Sequence, residues 1–322
     1  MASLAVANTY DRVGIREDLT EAIYNISPTD TPFVSMVGTT KATQTKHEWQ
    51  TDALASAGDS KVEQGAAAPG TAAAATTRIY NECQINAKDV SVSGTDAVVR
   101  NAGRKSEMAY QLAKRGKELK LDMEWACVNT PNVRVTGASG TAAEISNVYA
   151  YIADNGSFGT SGSTSAAGAG TGAGIATETG DDRVFAEALL TDAVQDQWVD
   201  GGNANVVMLS ATNKALLTAF NGRSTAASTN TDAHTKKIIN AVDIYVSDYG
   251  DMSVVPNRQI PTGANGRVLV LDPSTWSIAF LRQFKTFDLA VTGDATSKEL
   301  LVEWTLEGRA KDGNALIQDL TT

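Results

Sequence analysis

The chain has little of what a membrane protein, a disulfide scaffold or a hydrolase needs. No run of its 322 residues approaches the roughly eighteen consecutive apolar positions of a membrane-spanning helix. The N-terminus, MASLAVANTYDR, lacks the basic region and apolar stretch of a secretory leader. Cys83 and Cys127 are the only cysteines; they lie in segments of different character and read as reduced core thiols. The only histidines, His47 and His234, lie in polar, loop-like stretches without an i,i+4 partner, so metal-ligand spacing is missing. There is no G-x-S-x-G elbow and no G-x-x-x-x-G-K-[ST] loop. A glycine-rich run at 166–174 follows no strand and opens no helix, so it reads as linker. A basic surplus is also lacking. The formal net charge of −10 argues against a dedicated nucleic-acid binder, which needs cations to displace counterions. No catalytic, cofactor-binding or metal-binding residue is therefore assigned.

What is present is enough for a core: 42% hydrophobic residues and five tryptophans exclude global disorder. Residues 16–25 carry Leu19 and Ile23 at helical spacing, extended by Ile26, with Asp18 and Glu21 solvated. Pro28 and Pro32 break that helix before the apolar patch Phe33, Val34, Met36 and Val37. Residues 53–77 contain only Leu54 and Val62 as large apolar groups, too few for a core of their own. Strand-like flanks, HEWQT before and RIYNECQINAKDVSVSG after, make the whole a long hairpin-like loop with a small-residue tip. An isolated ribbon is marginal in water, so this one is expected to lie on a neighbouring subunit. Trp49 has no local neighbours able to bury it.

The spacing predicts a helix over 104–128, with Met108, Leu112, Leu119, Met123 and Ala126 inward and Tyr110, Leu121 and Trp125 widening the stripe. Its wet side gathers Arg100, Arg104, Lys105, Lys114, Arg115, Lys117 and Lys120, either a solvated face or a contact for DNA or for acidic patches of neighbours. Over 155–180, 22 of 26 residues are Gly, Ser, Thr or Ala, which predicts a flexible, exposed loop. Beyond it the pattern is α+β. A helix is predicted over 181–199, with Val184, Ala188, Leu189, Ala193 and Trp198 inward, Asp181-Asp182 at its N-terminus and Asp192/Asp196 solvated. Strands follow at 205–210, within 241–250, at SVVPNR as an edge, at 266–272, and through TWSIAFL, TFDLAV and KELLVEWTLEGRA, with a further helix over 213–220.

The stretches REDLTEAIYNISPTDTPF, KATQTKHEWQTDALA, EMAYQLAKRGKELKLDMEWA, VLVLDPSTWSIAFLRQFKTFDLAV and the terminal DLTT, in that order, resemble major capsid proteins of tailed double-stranded-DNA bacteriophages. The resemblance covers nearly the whole chain except 155–180. It implies an α+β fold of the Hong Kong 97-like type. The implied layout is an N-terminal arm over 1–40, an extended loop over 41–92 and a peripheral domain over 93–154 with a spine helix near 100–128. A flexible loop over 155–180, an axial domain over 181–262 and C-terminal strands over 263–322 returning to the peripheral domain complete it. It further implies self-assembly through pentamers and hexamers into a virion head built in the host cytoplasm. A portal protein, scaffolding and decoration proteins, and double-stranded DNA packaged without sequence specificity would be its partners, and no membrane. An encapsulin-like compartment is the alternative within the fold; a tail protein or a hydrolase would lie outside it.

On that reading the subunit-interface candidates are Phe33 in the arm, Trp49 and Leu54 at the loop base, Lys61 at the loop tip and Trp125 on the spine helix. Arg104, Lys114, Lys117 and Lys120 are candidates to face DNA or a neighbour. Lys61 has no evident acidic helper or Asn partner, so no isopeptide cross-link is expected. No long charged helical prefix precedes the arm, so a fused scaffolding segment is expected to be absent or removed.

Overall fold

The computed structural model describes all residues except 1–26, 56, 68–69, 71–74, 100, 102, 153–154, 161–169, 176–179, 221–242, 263–265, 292, 311 and 322. The helix expected over 16–25, Arg100 and His234 thus lie outside the described residues.

Two large sheets and two large cores organise the described residues. The first sheet has four strands, β1 (Gly38–Lys41), β11 (Trp276–Asp288), β12 (Ala295–Gly308) and β4 (Gln84–Ser93), in that spatial order. The long helix α3 (Glu107–Val128) packs on β4 and β12. It starts later than predicted because the Ser106 side chain accepts from the Ala109 amide and caps the first turn. Leu119, Met123 and Cys127 enter the core as expected, joined by Glu124, which the apolar stripe did not foretell. Trp125 does not anchor the helix inward; its neighbours on both sides claim the core, and it stays 54% exposed.

The second sheet runs β5 (Gly156–Ser157), β13 (Ala315–Thr321), β10 (Gly266–Leu271), β7 (Val206–Leu209), β9 (Gly250–Pro256) and β8 (Ile244–Ser247), with β6 (Arg183–Val184) also beside β13. Helix α4 (Glu187–Val199) packs on β13, and α5 (Ala211–Thr218) follows β7. Every residue of β10 is buried because both faces of the sheet are covered. Val268 and Val270 point into one core with Phe185, Leu190 and Leu320. Leu269 and Leu271 point into the other with Met123, Trp276, Trp304 and Leu316.

Several expectations shift. Helix α4 buries Leu190, Ala193, Val194 and Gln197, while Val184 and Trp198 are exposed. Asp181-Asp182 do not cap it, since Arg183–Val184 first pairs with Leu320–Thr321 and Ala186 takes the cap position. SVVPNR is not an edge: β9 is paired on both sides, and β8 is the edge. TWSIAFL and TFDLAV are one bulged strand, β11. The last strand, β13, went unpredicted because Gln318 and Asp319, both buried, interrupt its apolar run; Asp319 takes a φ of 57°. Residues 263–322 consequently divide between the two sheets. The low-complexity segment is not wholly exposed either. Gly172 is buried with a φ of 74°, in a place where a Cβ would meet Tyr151 and Arg134, so bare backbone is what fits.

Candidate functional site

Within the loop expected over 41–92, only Lys46–Thr51 and Thr77–Glu82 form a ribbon. Strand β2 (Lys46–Thr51) pairs antiparallel with β3 (Thr77–Glu82), from Lys46 opposite Glu82 to Thr51 opposite Thr77. Past Cys83 the chain leaves the ribbon, and β4 joins β12 instead. Elements remote in sequence bury the base. Trp49 Nε1 donates to the Gly308 carbonyl at 3.0 Å, and its ring lies 5.8 Å from that of Tyr151. Trp49 is therefore covered by its own chain, against the expectation that nothing near it could do so. Asn81 is fully buried; its Nδ2 donates to the carbonyls of Ser146 and Leu306, and its Oδ1 accepts from the amides of Ser146 and Glu82.

His47 is not in a loop. It sits in β2 with Nε2 3.3 Å from Glu307 Oε2, and Glu307 also accepts from Thr40 Oγ1 at 3.2 Å and Arg309 Nε at 3.0 Å. Burial pushes the Glu307 carboxyl up, but the bonds to His47 and Arg309 outweigh it and bring the pKa to about 2.

Among the described residues the tip has no such partners. Leu54 is 99% exposed and Val62 is exposed. Among the described residues Lys61 pairs with Asp59, at 2.6 Å between the charged groups.

The end of the arm is held differently. Helix α1 (Pro32–Met36) offers the amides of Phe33 and Val34 to the carboxylate of Glu124, at 2.9 and 2.8 Å, and Asn257 Nδ2 donates to the same carboxylate at 2.5 Å. Glu124 is fully buried, and burial raises its pKa despite these donors. A carboxylate from α3 thus satisfies the orphan amides of α1 and ties both to the end of β9. Phe33 is fully buried with its ring edge-on to Trp276, so its side chain has no surface left for a neighbour. Sequence reasoning missed Glu124 and Asn81. The available signal was a glutamate on the inward arc of the helix, between Met123 and Cys127.

The outer face of α3 is open. Trp125 and Ile85, 53% exposed, border a groove of about 430 Å³ closed by Pro131, Asn132 and Glu144. Of the basic residues, Arg104 is tied to Glu107 and Arg115 to Glu118 at 2.7 Å. Lys88 bonds to Asp122 at 2.8 Å. Lys114, Lys117 and Lys120 are exposed and form no ion pair among the described residues. The candidates therefore fall into three places: Phe33 in the core with Trp49 half-buried against it, Leu54 and Lys61 on the tip, and Trp125 with the lysines on the helix.

Among the described residues no group of three His, Cys, Asp or Glu could hold a metal, and no helix is long and apolar enough to cross a membrane. Both cysteines are free and buried; burial, then nearby carboxylates, pushes the Cys83 thiol to about 12.

Residues 5–321 match the family described as SU10 major capsid protein. The major capsid protein of Escherichia phage Phieco32 is 27% identical over 326 residues, covering 91% of each chain. Among solved structures, the capsid of cyanophage A-1(L) superposes with a TM-score of 0.64 at 13% identity, over 96% of this chain and 98% of that one. The SrpI encapsulin of Synechococcus elongatus PCC 7942 gives 0.57 at 10% identity, over 99% and 97%.

Proposed function

The chain belongs to the SU10 major capsid protein family and has the Hong Kong 97-like fold, and from that premise we propose that its copies close through pentamers and hexamers into a phage head enclosing double-stranded DNA. The observation that carries this reading is the β2–β3 ribbon, whose base is fixed by hydrogen bonds to remote elements while Leu54 and Val62 of its tip are exposed. A segment so poor in bulk stays extended only if another surface covers it. Non-closing head-to-tail contacts would give filaments; rotations that close give rings, and rings give a shell.

In this layout the arm extends to about residue 40, and the loop expected over 41–92 ends near Cys83, where β4 enters the four-stranded sheet. The four-stranded sheet with α3 is the peripheral domain, and the seven-stranded sheet with α4 is the axial domain. The protein acts as a building block without catalysis or cofactor. Its partners are other copies, a portal, scaffolding and decoration proteins, and DNA held without sequence specificity, in a virion assembled in the host cytoplasm. The acidic balance suits a wall that does not adhere to packaged phosphate.

Electron microscopy of the concentrated protein, alone and with a scaffold, tests the reading. Polyhedral shells, or free pentamers and hexamers, are expected. Monomers that never assemble under either condition would overturn it. A protein-filled compartment of the encapsulin kind would reveal itself by protein cargo in place of DNA.

A further inference from the structure

We propose that Gly170–Gly172, inside the segment that reads as a linker, is a latch: seated, this turn fixes the β2–β3 ribbon at Tyr80, and unseated, it loosens the ribbon. The latch is a device of the single subunit and does not depend on how copies assemble.

The turn is seated through its backbone. Gly170 and Gly172 take φ values of 78° and 74°, and both amides donate to the Ala150 carbonyl, at 3.0 and 3.1 Å. The Thr171 carbonyl accepts from Arg134 Nη1 at 2.7 Å, and the Gly172 carbonyl from Ser146 Oγ at 2.6 Å. A Cβ on Gly172 would stand 2.6 Å from Tyr151 Oη and 2.8 Å from Arg134 Nη1, so a side chain there would push apart the groups that receive the turn.

The residues that receive the turn are the ones that hold the ribbon. Arg134 Nη1 also donates to the Tyr80 carbonyl, at 3.1 Å, and Tyr151 Oη donates to the same carbonyl at 3.3 Å. The Arg134 guanidinium lies 3.6 Å from the centre of the Tyr80 ring, and Lys46 Nζ lies 3.8 Å from it. Two cations that near must take opposite faces, so Tyr80 is clamped on its ring as well as at its carbonyl. Ser146 Oγ accepts from the Arg134 amide at 2.8 Å, while the Ser146 backbone bonds to the Asn81 side chain in both directions. Unseating the turn therefore removes a partner from Arg134 and from Ser146 at once, and both act on neighbouring residues of β3.

Two features suit this turn to opening and closing. Its bonds to Ala150, Arg134 and Ser146 are all polar, and two of its residues have no side chain. Opening thus exposes little apolar surface, which places it among the local openings of low cost. The described ends of the same segment are fastened to the seven-stranded sheet as well. The Gly159 amide donates to Asp319 Oδ2 of β13 at 2.9 Å, and the Asp181 amide donates to the Thr160 carbonyl at 2.9 Å. A released turn stays tethered near its seat, so closing is intramolecular.

Amide hydrogen exchange on the full-length, unassembled protein tests the latch. Gly172→Ala leaves every ribbon residue in place. It should speed exchange of the β2 and β3 amides about tenfold, together with those of 170–172, while α4 and β10 keep wild-type rates. Wild-type protection of β2 and β3 beside freely exchanging 170–172 would overturn the latch. A uniform rise that includes α4 and β10 would do the same, since the turn would then support the whole fold and not the ribbon. Arg134→Lys, at a half-buried position, is the second variant. An ammonium keeps the charge but cannot stack on Tyr80 and bridge two carbonyls in the same way, so both regions should speed up about threefold. An unchanged ribbon in that variant would also count against the latch. Ala173→Ser, at an exposed neighbour, should change neither region, and an effect equal to that of Gly172→Ala would remove the assignment to the seated turn. Wild-type protein that never forms shells would remove the capsid reading and leave the latch standing.

Discussion

The base and the tip of one ribbon treat their side chains in opposite ways. At the base, Asn81 fills four hydrogen-bonding roles with remote backbone, Trp49 is hooked to Gly308, and Glu307 is enclosed by Thr40, His47 and Arg309. At the tip, the polar bonds of the described residues are local and Leu54 faces water. The difference separates two kinds of energy. Base residues stabilise the subunit, and the exposed tip residues are free to act only in contacts outside it.

The sharpest way to break that comparison is at the base. Asn81→Ala leaves two buried carbonyls and two amides without their partner and should cost about 3 kcal/mol of subunit stability, read as a lowered denaturant midpoint of the unassembled protein. Trp49→Ala should cost a similar or slightly smaller amount, about 2–3 kcal/mol, because the ring is only half-buried.

Acid should act on two carboxylates with opposite sign. Glu307 titrates near 2 in the folded chain and near 4.5 when unfolded, so its contribution is complete above about 4.5 and is lost as pH falls toward 2. That contribution is on the order of 3 kcal/mol, and E307Q should flatten this part of the stability-versus-pH curve. Glu124 has a raised folded pKa, so its contribution is greatest below the ordinary glutamate value and is lost as pH rises through the folded one. Glu124→Gln keeps one acceptor oxygen but turns the other into an amide donor facing a buried N–H, and should cost about 1–3 kcal/mol at neutral pH. The curve of that variant should lose its rise on mild acidification.

The smallest effect is expected at the tip, where Leu54→Ala should move the midpoint of the unassembled subunit by less than about 0.5 kcal/mol. A large loss there would mean that the tip packs on its own chain, and the contrast with the base would fail.

The same contrast explains what could be read in advance. The long helix, β7 and β10 announce themselves through strong periodicity or unbroken apolar runs. The hairpin was legible because Ala, Gly and Ser dominate its tip and strand formers flank it. The base was not legible, because its bonds span 225 residues for Asn81 and 259 for Trp49, and local patterns carry no such information. Glu124 and β13 were hidden for a related reason: a buried polar residue reads as a surface one until its partner is known. Trp125 and Trp198 erred in the other direction, since a tryptophan on a helix does not state which side it covers.

Strand β10 carries one further consequence. Its alternate residues stand in two different cores, so neither core can be turned against the other without bending the strand they share. The subunit should then behave mechanically as a stiff tile. A shell made of such tiles would take its curvature at the seams, from the lie of arms and loops, and the same tile would serve at flat and at sharply bent vertices.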